Sequence, residues 1–149
     1  MIRVMHTFSM ILCTTTLAAA AIRQGANPVA PTPLEGAWEP ESIQRESLTY
    51  PPETFAGMRF TFKGNVLIME KFPSPRGAQC SITVETRPDP KHLDCLEESG
   101  RKTAMSWRRD GERLILAVPN GATPTERPKT LTSEKGSGTL LLTLRRAKG

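Results

Sequence analysis

Wherever this sequence is apolar, it alternates. Met58, Phe60 and Phe62 are spaced by Arg59 and Thr61, and Cys80, Ile82 and Val84 by Ser81 and Thr83. Leu114, Leu116 and Val118 share one parity, as do Leu140, Leu142 and Leu144. A period of two puts one set of side chains on one face of an extended strand. An amphipathic helix needs three- and four-residue spacing instead, and that spacing is weak throughout. Thirteen prolines and eleven glycines cut the alternating runs into short pieces. The chain therefore reads as all-β.

Eight strands are expected. The first starts at Leu34-Glu35-Gly36-Ala37-Trp38 and runs toward Ile43; residues 45–57 are a connection with room for a helical turn. The others are 58–62, 66–71, 80–86, 92–97, 103–109, 113–118 and 139–146. Lys63-Gly64-Asn65, Arg87-Pro88-Asp89-Pro90, Ser99-Gly100 and Asp110-Gly111 supply the turns between them. A connection of about twenty residues precedes the last strand, long enough to imply a function or a special structural task. Eight hairpin-linked strands with one apolar face each avoid unpaired edges by closing on themselves. The expected fold is a small eight-stranded antiparallel up-and-down barrel; a two-sheet sandwich remains the alternative.

The N-terminus reads as an export signal. Arg3 precedes a short apolar stretch, Phe8 to Ala21, that ends in small residues suited to cleavage near Ala20 or Ala21. The stretch is too short and too rich in threonine for a membrane span of about 20 apolar residues. Cys13 follows Leu12 and Met10, which does not fit a lipid-attachment site. The expected organisation is a signal peptide at 1–21, a proline-rich leader at 22–33 and one domain at 34–149, with no membrane span in the mature chain. Export would carry Cys80 and Cys95 into an oxidising compartment, where thiols pair. Both fall on apolar faces of neighbouring strands, opposite or diagonal according to register. A bridge and a pair of buried thiols both remain open.

Charge is distributed unevenly. Residues 22–100 hold 8 basic and 11 acidic side chains, whereas residues 101–149 hold 11 basic and 4 acidic. Nucleic acid is a poor match, because only Trp107 among the aromatics falls in the basic half. Two readings remain for that half: a solvated basic face, or a surface for an anionic envelope partner.

Two sets of residues carry a resemblance. Gly36-Ala37-Trp38 on the first strand, with Arg145 or Arg146 on the last, resembles the lipocalin signature. That resemblance implies a tryptophan closing one barrel end under an arginine. More widely, six segments resemble an uncharacterised bacterial domain family found chiefly in planctomycetes. They are Leu34 to Trp38, Phe60 to Gly64, Pro90 to Asp94, Asp110 to Leu116, Glu126 to Leu131 and Lys135 to Arg146. This implies a lipocalin-like fold and no particular reaction. Ser106 and Arg109 stand where the resemblance leads one to expect apolar residues, and Cys80 and Cys95 look particular to this chain.

No catalytic constellation is visible. A Ser-His-Asp relay could use only His92 in the mature chain, and no G-x-S-x-G elbow is present. His92 and Asp94 point away from Cys95 along a strand, so they make no metal site. Gly136-Ser137-Gly138 lacks the spacing and the following helix of a phosphate loop. Nothing asks for a cofactor. The expected role is therefore non-enzymatic: a small apolar ligand inside the barrel. Candidate walls are Phe60, Phe62, Leu67, Met69, Ile82, Val84, Leu93, Trp107, Leu114, Leu116, Leu140 and Leu142. The competing reading of the same twelve residues is ordinary packed core.

Overall fold

The computed structural model describes residues 32–120 and 126–149. The expected signal segment and the leader up to residue 31 lie outside the described residues. Among the described residues there are nine strands: β1 (Gly36–Arg45), β2 (Leu48–Thr49), β3 (Arg59–Lys63), β4 (Val66–Glu70), β5 (Ala78–Glu85), β6 (Lys91–Glu97), β7 (Lys102–Asp110), β8 (Arg113–Pro119) and β9 (Thr139–Arg146). β1 pairs with β3, each of β3 to β8 pairs antiparallel with the next, and β9 pairs back onto β1. Eight strands thus close a barrel, with β2 a two-residue addition on β1. Continuous pairing around the circle excludes the sandwich.

Two strand ends are set by two-residue turns. Lys63 faces Val66 across Gly64-Asn65, and Asp110 faces Arg113 across Gly111-Glu112. β1 makes closure possible. Its first residues, Gly36 to Trp38, pair with β3, while Trp38 to Arg45 pair with β9. The register slips between Pro40 and Ser42, leaving Glu41 as the extra residue of a β-bulge. A bulge bends its strand and sharpens the twist. It is also a place where proline, lacking an N–H, fits inside a sheet.

The 45–57 connection holds more structure than the sequence shows. Glu46 and Ser47 form the turn of a β1–β2 hairpin, both with positive φ (52° and 66°). Such turns usually carry asparagine or glycine, so Glu-Ser gives no signal. A 3-10 turn follows at Pro52–Thr54, and Phe55 is buried against the barrel.

The barrel has two unlike ends. At one lie the start of β1, the end of β9 and the turns after β3, β5 and β7. At the other lie the β4–β5 loop, the β6–β7 turn and the long β8–β9 connection. Trp38, Phe62, Leu93, Trp107, Leu114 and Leu144 are almost fully buried within. An eight-stranded barrel is just wide enough for side chains to fill it.

Candidate functional site

The first end is closed by Trp38. Its indole Nε1 donates to Leu34 O at 2.8 Å, so the buried ring leaves no polar atom unpaired. Arg146, and not Arg145, lies over the ring, with its guanidinium carbon 4.0 Å from the centroid. Arg146 also donates to the Glu35 carbonyl. Gly36 makes room for this approach: its φ is +112°, and a Cβ there would strike Nη1 of Arg146. Arg109 is a second cation on the same ring, at 5.1 Å, and donates to the Gly111 and Pro33 carbonyls. An arginine stands at this inward position of β7 because it caps the barrel end; an apolar side chain there would meet backbone carbonyls.

Ser106 has a different reason. Met105 and Trp107 on either side point inward, so Ser106 faces outward. It is nevertheless fully buried, because the β8–β9 connection lies over it and its hydroxyl donates to Pro128 O. The neighbouring Arg127 donates to Met105 O and to Asp94 on β6. These bonds fall where β7 has lost its other neighbour. β7 pairs with β8 only from Ser106 onward, so Lys102 to Met105 have no β8 partner. Further along, Ser133 O accepts from Ser47 N, and Gly138 O accepts from Asn120 N at 2.7 Å. The described part of the connection is thus a strap across the β7–β8 seam. Gly136 and Gly138 both adopt positive φ (78° and 62°) and lead directly into β9. Gly136-Ser137-Gly138 is the entry to a strand.

Cys80 and Cys95 are joined by a disulfide with their Cα atoms 5.8 Å apart. Cys80 faces Glu97 in register and Cys95 faces Ile82, so the bridge runs diagonally between β5 and β6.

The register also sets Glu85, His92 and Ser106 in one outward row across β5, β6 and β7. His92 Nδ1 lies 3.2 Å from Glu85. The row is not a nucleophile relay, because the Ser106 proton goes to Pro128 O and no hydrogen bond joins Ser106 to His92. Among the described residues no three acidic, histidine or cysteine side chains gather as a metal site, and no helix is long and apolar enough to cross a membrane.

The interior is largely filled. Of the twelve candidate walls, Phe60, Leu67, Met69 and Leu140 line a cavity of about 110 Å³ at the second end. Phe62, Ile82, Leu93, Trp107, Leu114, Leu116 and Leu142 are buried without lining it, and Val84 is half-buried beside them. Sequence reasoning missed several lining residues: Phe72 and Pro73 from the β4–β5 loop, Met105 from within β7, Val118 near the end of β8, and the polar rim of Glu97, Arg101, Thr103 and Asn120. The Phe72 ring leans on Phe60, centroids 5.6 Å apart. A side chain that folds back from a loop carries no periodicity to read.

The charge asymmetry is met in part within the chain, by five of the eleven basic side chains of the basic half. Arg101, Lys102, Arg108, Arg113 and Arg127 from the basic half pair with Glu97, Asp94, Asp89, Glu41 and again Asp94 from the acidic half. The Arg113–Glu41 pair is bidentate, at 2.7 and 2.9 Å. That hydrogen bond first, and the charge of Arg113 with it, hold the Glu41 carboxyl below its usual range. The bulge aims Glu41 there.

A scan against protein-family models found no match, and neither did searches of the curated proteins and of the solved structures.

Proposed function

We propose that this chain is an exported binding protein that takes the apolar end of a small molecule at the open end of its barrel. The observation that carries the reading is the cavity's place and lining. Phe60, Leu67, Met69, Met105 and Leu140 form an apolar floor, and Glu97, Arg101 and Asn120 form a polar rim. Binding sites are typically apolar with a few polar groups that fix orientation. Methionine adds walls that adapt to shape. A cavity of about 110 Å³ is smaller than the roughly 150 Å³ of an engineered cavity that takes benzene. The ligand is therefore a short apolar group, or the tip of a longer molecule whose remainder stays outside. The lipocalin resemblance of Gly36, Trp38 and Arg146 supports the same reading, as does the N-terminal stretch from Arg3 to Ala21, which reads as an export signal.

Short alkanols and alkanoates of increasing length test it, by calorimetry and by thermal shift on mature protein. Saturable binding that raises the melting temperature is expected, with an optimum at a short chain. Val118→Phe, which fills the cavity from the side, should abolish binding and leave the barrel folded. No saturable binding across the series, or binding untouched by Val118→Phe, would remove the reading.

A further inference from the structure

Given that the barrel cavity takes a small molecule as proposed above, we propose that this molecule is a zwitterion with a short apolar tail. It is a free amino acid of about leucine size, its ammonium on Glu97 and its carboxylate on Arg101. The inward rows of two neighbouring strands place these groups. Leu93, Cys95 and Glu97 share one parity along β6, so Glu97 continues the buried row of that strand to the cavity mouth. Across the β6–β7 turn, Glu97 N donates to Arg101 O at 2.8 Å, which sets Arg101 opposite Glu97. Arg101 shares its parity with Thr103 and Met105, and all three line the cavity.

Among the described residues lining the cavity, Glu97 and Arg101 are the only charged ones. They attract but do not bond: Arg101 Nε lies 4.0 Å from Glu97 Oε1, beyond hydrogen-bonding distance. The Arg101 side chain is 58% exposed and that of Glu97 27%, so a molecule at the mouth reaches both. Exposed pairs of this kind hold each other weakly, and a ligand can take both partners in exchange. A head of one sign fits badly. A lone carboxylate on Arg101 is repelled by Glu97, and a lone ammonium on Glu97 is repelled by Arg101. A peptide terminus carries only one of the two charges. A head with both signs on one carbon gives each group its complement, and the guanidinium offers two parallel N–H donors to the carboxylate. Thr103 and Asn120 add neutral hydrogen-bonding groups to the same rim. The apolar floor takes the tail. At about 110 Å³ it favours an isobutyl or thioether chain over an aromatic ring, which fills a cavity of roughly 150 Å³.

Four molecules with a branched apolar tail and different heads test this by calorimetry on mature protein at neutral pH: leucine, isocaproate, isopentylamine and isopentanol. Leucine should bind about tenfold more tightly than the other three, the worth of one added charge-assisted hydrogen bond. Glu97→Gln should cost leucine about tenfold and tighten isocaproate, because it removes the repelling carboxylate. Arg101→Gln should cost leucine as much and tighten isopentylamine. Val118→Phe should abolish leucine binding, which ties the head group to the same cavity. Any other head bound as tightly as leucine, or a leucine affinity indifferent to Glu97→Gln and Arg101→Gln, would overturn the proposal and leave the cavity reading standing. Binding by none of the four would overturn both.

Discussion

Two tryptophans illustrate how single residues are legible here. Trp107 sits mid-strand, buried, and its Nε1 donates to His92 O at 3.1 Å. Trp38 sits at the barrel end and is held by three groups that the sequence spreads widely: Leu34, Arg109 and Arg146. The neighbouring Gly36 and the arginine pair at 145–146 could be read in advance. Which arginine reaches the ring could not, because it depends on strand parity at closure: Arg145 pairs opposite Glu39 and points outward, whereas Arg146 ends the inward row. Trp38→Ala removes a fully buried ring from a site that cannot collapse onto the space. It should cost about 3–5 kcal/mol, read by urea denaturation. A loss well below that would mean that Trp38 does not close the barrel.

At the scale of elements, all eight expected strands fall within two residues of their observed limits, because alternation and turn chemistry both marked them. The β1–β2 hairpin escaped, since Glu46-Ser47 occupies a turn that favours other residues. The strap was legible only as a loop too long to be idle. Its task depends on β7 and β8 parting at Ser106, a fact of curvature that no local pattern encodes. Asp94 fastens the strap. Burial opposes its ionisation, but the hydrogen bond and charge of Arg127, with Lys102 at 3.5 Å, outweigh that and hold the carboxyl below its ordinary value of 3.8. A depressed carboxyl stabilises the fold above its unfolded value and loses that contribution as pH falls through the lower folded one. Acid destabilisation from Asp94 should therefore set in below about pH 4. Asp94→Asn should be less stable at neutral pH and show a shallower loss on acidification, measured by denaturant midpoint against pH. An unchanged acid slope would mean that the strap is held elsewhere.

For the whole molecule, charge shows the difference between a chain and a fold. Along the sequence the basic C-terminal half looks like a surface awaiting an acidic partner. In the barrel, β6 lies against β7, and β1 lies against β9 beside β8, so acids of the first half meet bases of the second. Charge reversal at Arg108 or Arg113 would disturb these contacts before it reported on any partner. Arg113→Glu should thus lower the melting temperature, and combining it with Glu41→Arg should recover part of the loss, as a paired contact does in a double-mutant cycle. Simple additivity of the two changes would mean that the pair contributes nothing. Exposed pairs of this kind are individually weak, so their collective effect is orientation and solubility more than stability.

The sequence by itself determined the all-β class, the strand count of the barrel, most hairpin turns and the inward-facing set, because side-chain parity along a strand is a local property of the backbone. It also marked Gly36, Trp38 and the terminal arginines as a connected group. Only the tertiary structure decided that the barrel closes through a bulge at Glu41, that the interior is mostly full, and that the remaining cavity lies at the loop-bearing end. These depend on how far neighbouring strands stay paired and on which loop side chains fold back. Both are set by twist and closure over the whole circle, and no segment of the chain specifies either alone.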